Sequence, residues 1–217
     1  MQYLSGSTKK KPASAERGFI MYQGPSSLDG QPIVVVATMT TNNAKTGQMV
    51  QTWILRDDIN PVEASKVGDD SSICGNCPHR HYNGGACYVN IGQAPNSVYK
   101  GYKRGIYPDF NFDDHARYFE GRKIRLGAYG DPAAVPSYVW DSLIHAADFV
   151  TAYTHNPINP MPHKIMTSAD NAAQAHSAWD KGERTFRVVS DLAQLIKGKE
   201  VLCPASDEAG NKATCAS

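Results

Sequence analysis

The chain sets short apolar runs between polar breaks, and from residue 123 onward the alternation becomes regular. Ile33-Val-Val-Val-Ala37 is an unbroken apolar run after Pro32, which predicts a buried strand. Met49-Val-Gln-Thr-Trp-Ile-Leu-Arg56 predicts a second strand, making an N-terminal hairpin with the first across the polar segment 40–47. Asn60-Pro61-Val62-Glu63 carries the marks of a helix start: an Asn cap, Pro at the first helical position and Glu at the third. That helix can run only to about Val67, because Gly68-Asp-Asp-Ser-Ser follows. Tyr88-Val-Asn-Ile91 is a short strand candidate, and residues 94–104 form a further helix candidate.

In the second half, Lys123–Tyr129 reads as a strand. Residues 136–147 place Trp140, Leu143, Ile144 and Ala147 at i, i+3, i+4 and i+7, the stripe of an amphipathic helix. Strands then follow at 149–153, 163–167, 184–189 and 200–202, with helices between them at about 170–179 and through 196. Strands alternating with helices predict an α/β fold, a parallel sheet with crossover helices preceded by the hairpin.

At 217 residues, 41% hydrophobic and 20% charged, the chain suits a single α/β domain over 18–217 behind a basic arm, residues 1–17, that contains Lys9-Lys10-Lys11. A net charge of +1 gives no bulk attraction to nucleic acid or membrane, so any such binding has to be local. No window reaches the roughly 20 apolar residues of a membrane span, and no apolar run follows the N-terminal lysines. The expected setting is the cytoplasm.

Three of the five cysteines stand in Cys74-Gly-Asn-Cys77-Pro-His79-Arg80-His81-Tyr-Asn-Gly84-Gly85-Ala-Cys87. A C-x2-C pair sets two thiols on one turn, the spacing that chelates a soft metal or an iron–sulfur cluster, and Gly84-Gly85 lets the backbone fold back to bring in the third. In a reducing compartment such a pattern points to ligation before disulfides. A structural zinc knot and unligated reactive thiols are the alternatives. Cys203 sits where a strand should end and is either a fourth ligand, with Cys74, Cys77 and Cys87, or a plain buried thiol.

The residues just past the predicted strands are Asp131, Thr154, His155, Ser168, Asp170, Asp191 and Cys203. In parallel α/β folds ligands bind at those carboxyl ends. Asp170 and Asp191 are better explained as helix caps, whereas Asp131 and His155, each followed closely by proline, are the better candidates for catalysis or ligand contact. Tyr99, Lys100, Tyr102, Lys103 and Arg104 interleave aromatic and basic groups on one helix. They read either as a contact strip for a nucleic-acid strand or as an amphipathic helix with a solvated basic face.

Gly127-Ala-Tyr-Gly130-Asp131-Pro132, then Val135-Pro136-Ser-Tyr-Val-Trp140 and Phe149-Val-Thr-Ala-Tyr-Thr154, resemble the middle of phage-encoded radical-SAM-like proteins. Cys-Gly-Asn-Cys-Pro-His-Arg, Cys87-Tyr88 and Cys203-Pro-Ala-Ser strengthen the likeness. The resemblance implies a partial (β/α) barrel with a [4Fe–4S] cluster on Cys74, Cys77 and Cys87, and S-adenosylmethionine as cosubstrate. Asp131 would receive the methionine ammonium, with Thr154 and Ser168 beside the cofactor. It also implies a phage enzyme in the host cytoplasm acting on nucleic acid or nucleotides. Two other functions compete with it. One is a zinc-stabilised, non-enzymatic module that binds nucleic acid or a host protein. The other is a cysteine–histidine hydrolase or transferase using Cys203 and His155.

Overall fold

A computed structural model describes residues 15–217. Most of the basic arm, residues 1–14, lies outside the described residues.

Two sheets make the frame. The first has the order β1 (Gly18–Pro25), β2 (Pro32–Thr38), β3 (Val50–Arg56), β4 (Lys123–Tyr129) and β5 (Phe149–Thr151). The β1–β2 and β2–β3 pairs are antiparallel, and β3–β4 and β4–β5 are parallel. The second sheet, β6 (Tyr153–Thr154), β7 (Met166–Ala169) and β8 (Thr185–Arg187), is parallel throughout. Only Ala152 separates β5 from β6, and its carbonyl accepts from Met166 N at 2.9 Å. One stretch, residues 149–154, therefore pairs with β4 through its first half and with β7 through its second. Neither sheet closes on itself, so the architecture is an open mixed α/β fold, and the expected barrel is present only as a run of parallel strands.

The core follows the hydrophobic pattern. Ile33 to Ala37 on β2 are fully buried, and every residue of β3 is buried, as suits a central strand covered on both faces. Helices α1 (Pro61–Val67), α2 (Ser71–Cys74) and α3 (Ala94–Lys103) pack against β3. The short α4 (Phe112–His115) begins at Asn111, whose side chain accepts from Asp113 N and Asp114 N. Helix α5 (Ser137–Ala146) buries Val139, Trp140 and Leu143, and the Trp140 indole donates to Pro132 O at 2.9 Å. Helix α6 (Ala172–Asp180) connects β7 to β8.

The sequence places α1 closely: Asn60 Oδ1 accepts from Val62 N at 2.9 Å, and Gly68 ends the helix in the left-handed region. Elsewhere the structure departs from the expected elements, and the helix expected through 196 is only a 3₁₀ turn, Leu192–Gln194. Gly18–Pro25 is an additional edge strand. Gly68-Asp-Asp-Ser-Ser leads into a second short helix, α2, that carries Cys74. Residues 88–91 lie outside any strand. Residues 200–202 are also irregular, because Glu200 turns back to Arg187 and Val201 is 89% exposed. The chain end folds back on the N-terminal side of the sheet, where Cys215 N donates to Lys45 O and Lys123 Nζ donates to Ala216 O.

Candidate metal centre and adjoining cleft

The carboxyl ends of the parallel strands gather most of the residues with chemistry. Gly130 follows β4 with φ 83°, and a Cβ there would stand 2.7 Å from Ile54 Cβ, so only glycine fits this turn. The turn aims Asp131 inward, where its amide donates to Ile73 O at 2.6 Å and so fastens the end of β4 to the helix that carries Cys74. The Asp131 carboxylate is 8% exposed and accepts from Ala133 N (2.9 Å), Thr154 Oγ1 (2.6 Å) and His155 N (2.8 Å). Burial pushes its pKa up, while those three donors pull it back. The residue expected to receive a cosubstrate ammonium, and Thr154 with it, thus ties two strand ends together.

The cysteine loop is held from behind. Arg80 Nε and Nη2 both reach Asp70 Oδ1, at 3.0 and 2.5 Å, Nη2 also donates to Gly68 O, and Nη1 donates to Gly75 O. Asp70 is 2% exposed and Arg80 9%, so this ion pair braces the loop inside the protein. Gly85 passes so close to the backbone of His79 that a Cβ would lie 2.5 Å from it. That approach allows Cys87 N to donate to His79 O at 2.9 Å.

As a result, the thiols of Cys74, Cys77 and Cys87 lie near enough that a charge on one raises the cost of ionising the others. Burial pushes Cys74 well up and Cys77 up, the latter partly offset by a backbone hydrogen bond from His79. All five cysteines are free. Among the described residues these three sulfurs are not all within 4.8 Å of one another, wider than one tetrahedral ion would draw them. Cys203 is exposed in the irregular segment beyond β8 and, like the three loop thiols, joins no group of ligand atoms within 4.8 Å among the described residues.

Tyr129, the last residue of β4, lies within electrostatic reach of Cys74, Cys87, Asp70 and Arg80. It is 3% exposed, and its hydroxyl has no hydrogen-bond partner. Native proteins rarely leave such a group orphaned.

Beside the thiols, two residues from the strand ends, His155 and Asp170, meet His79 of the cysteine loop. His79 Nε2 is 2.9 Å and His155 Nε2 3.4 Å from Asp170 Oδ1, and the other nitrogen of His155, Nδ1, is 3.5 Å from Cys77 Sγ. Asp170 is not the cap of α6. Asn171 takes that place, accepting from Gln174 N, while Gln174 Oε1 accepts from Asp170 N. Asp191 does cap its 3₁₀ turn, through Ala193 N. A cleft of about 490 Å³ opens here, lined among others by Asn76, His155, Asn156, Ser168, Asp170 and Lys181. Ser168 therefore stands on the wall of this cleft.

The Tyr/Lys/Arg helix is turned the other way. Tyr99 and Tyr102 hydroxyls reach Asp57 O and Oδ1, and Lys103 Nζ reaches Asp57 Oδ1, so Tyr99 is buried against the body and Tyr102 half-buried. Lys100 and Arg104 remain exposed. No helix of the described residues is long and apolar enough to cross a membrane.

No protein-family model, curated protein or solved structure matches the chain. The likeness to radical-SAM-like proteins therefore rests on its motifs alone, and the C-x2-C-x9-C spacing differs from the usual C-x3-C-x2-C of that group. Sequence reasoning missed His79, Asp170, Tyr129 and the Asp70–Arg80 brace. His79 and Arg80 carried a signal through their place in the cysteine loop, and Asp170 through its place just past a predicted strand, where it reads as a cap.

Proposed function

We propose that Cys74, Cys77 and Cys87 hold an iron–sulfur cluster and that the chain is a radical-SAM-like enzyme acting on a polar small molecule of nucleotide size. The observation that carries this reading is the orphaned Tyr129 hydroxyl. It is a buried donor near Cys74 and Cys87 with nothing among the described residues to accept from it, and a thiolate or sulfide of a bound cluster is the missing acceptor. The donor set fits as well. Three thiols lie near enough to raise the cost of one another's ionisation, yet at wider separation than a single ion needs. When bound, a cluster on three protein thiolates supplies single electrons to S-adenosylmethionine.

The remaining roles belong to this chain's own side chains. Cys74 packs half-buried against the core, and His155 Nδ1 stands 3.5 Å from Cys77 Sγ, where it can donate to a thiolate. Asn156, Ser168, Gln174 and Lys181 give the cleft donors for a polar ligand. Tyr99 is buried and Tyr102 half-buried, both tied to Asp57, which favours a ligand in that cleft over a strand of nucleic acid along the helix. A cytoplasmic setting, in the host cell if the chain is phage-encoded, keeps the thiols reduced.

A second reading has one observation behind it. Cys77, His155 and Asp170 form a line of thiol, imidazole and carboxylate, with Cys77 in the place expected for Cys203. A nucleophilic cysteine needs a lowered pKa, and burial raises that of Cys77, so the line is poorly set for a hydrolase. The test is iron and sulfide analysis of the full chain purified and reconstituted without oxygen. Iron–sulfur absorbance is expected in the parent and in Cys203→Ala, and is expected to disappear in Cys74→Ala, Cys77→Ala and Cys87→Ala. A parent chain that takes up no iron and sulfide overturns the reading.

A further inference from the structure

His79, His155 and Asp170 converge without help from the cysteines. Their ligand atoms all lie within 4.8 Å of one another, and both Nε2 atoms aim at the same carboxylate oxygen, Asp170 Oδ1, at 2.9 and 3.4 Å. The residues come from the cysteine loop, the end of β6 and the end of β7, so the fold, and no local motif, assembles them. We propose that they form a binding site for one divalent first-row transition-metal ion, separate from the thiol site and open to the 490 Å³ cleft.

The spacing suits a metal. Nitrogen and oxygen ligands sit about 2.0–2.2 Å from such ions, which sets neighbouring donors roughly 3.0–3.4 Å apart. Two imidazoles and one carboxylate are the borderline set taken by iron(II), zinc, cobalt(II) or manganese(II), and three ligands leave positions free for water or an oxygen of a cleft ligand. The carboxylate is also available. Asn171 has taken over the capping of α6, so the Asp170 side chain is free of backbone donors from its own helix. His155 is held in place for the role, its amide fixed on Asp131 Oδ2 and its Nδ1 turned to Cys77 Sγ. Such outer contacts orient metal-binding histidines. Side-chain exposures of 45%, 24% and 30% for His79, His155 and Asp170 leave a path for an ion from solvent. The site does not depend on the cysteines holding a cluster.

The experiment is titration of the full, reduced, metal-stripped chain with cobalt(II), read by its visible absorbance. The expected result is one bound equivalent whose spectrum lacks thiolate-to-cobalt charge transfer. Binding should be unchanged in Cys87→Ser and weakened by about a hundredfold or more in Asp170→Asn and in His79→Asn, since even indirect partners of a metal contribute ten- to a hundredfold. His79 and Asp170 are partly exposed, and circular dichroism and melting of both variants establish that they are folded. As an independent readout, zinc at saturating concentration should raise the Tm of the parent and leave that of folded Asp170→Asn unchanged. Cobalt binding retained in both variants overturns the proposal. So does an equivalent that shows thiolate charge transfer and is lost in Cys87→Ser. Failure of the iron–sulfur reading looks different: no iron or sulfide is taken up, while the cobalt site remains.

Discussion

Thr154 Oγ1 donates to Asp131 Oδ1 at 2.6 Å, and this single bond joins the turn after β4 to the last residue of β6. The same carboxylate fixes the amide of His155, so the position of the imidazole at the cleft derives from a buried hydrogen-bond hub. Thr154→Val should remove one donor from a buried acceptor and lower unfolding free energy by about 1–3 kcal/mol. Urea unfolding measures it. Unchanged stability together with lost binding of S-adenosylmethionine would return Asp131 and Thr154 to the role of ligand groups.

Removing the brace behind the cysteines should be more damaging. Arg80→Met leaves Asp70 buried and unpaired and strips the Gly68 and Gly75 carbonyls of their donor, so a loss of about 3–5 kcal/mol is expected. Asp70→Asn in the Arg80→Met background should recover part of it. If Arg80→Met melts with the parent, the loop is held by something other than this pair.

Tyr129→Phe should act in opposite directions on the two forms of the protein. In the metal-free chain it deletes an orphaned buried hydroxyl and should stabilise by about 1–3 kcal/mol. In the iron-loaded chain that gain should shrink or reverse, because the hydroxyl has found its acceptor. Paired melting curves with and without reconstituted iron and sulfide decide. Equal gains in both forms would mean that the hydroxyl does not serve the thiol site.

Acid should reveal a contact far from the site. Arg187 donates to both carboxylate oxygens of Glu200, at 2.8 and 2.6 Å, and holds its pKa below the ordinary 4.5. The folded value is depressed, so the stability this pair contributes is complete above 4.5 and disappears as the pH falls through the folded value. Arg187→Met should flatten that acid-side slope and leave the slope above pH 6 unchanged, as read from denaturant midpoints across the range.

What could be read from the chain was local. The cap and stop of α1, the apolar runs of β2 to β4 and the stripe of α5 are each written in neighbouring residues, and the three thiols share one loop. What escaped depends on distance along the chain. Gly18–Pro25 is an edge strand with half-exposed side chains, defined by pairing to β2 and not by its own pattern. His79 and Asp170 are 91 residues apart and meet only because β7 ends beside the cysteine loop. Asp170 reads as a cap because the residue after it is the true one. The tyrosines of α3 show the converse: a contact strip in sequence, drawn inward by Asp57 from 45 residues upstream in the case of Tyr102.

The stretch 149–154 works as a ruler between two machines. Because one short strand is read by β4 at its start and by β7 at its finish, its length in residues fixes the offset between the two sheets. Side chains alternate along a strand, so one residue inserted at Ala152 would keep the β4 pairing and turn Tyr153, Thr154 and His155 over. The hub at Asp131 and the imidazole at the cleft would be lost together, with the hydrophobic core untouched. Natural variants of this chain should therefore vary in length in the loop 155–165 and keep the count between Phe149 and His155 constant.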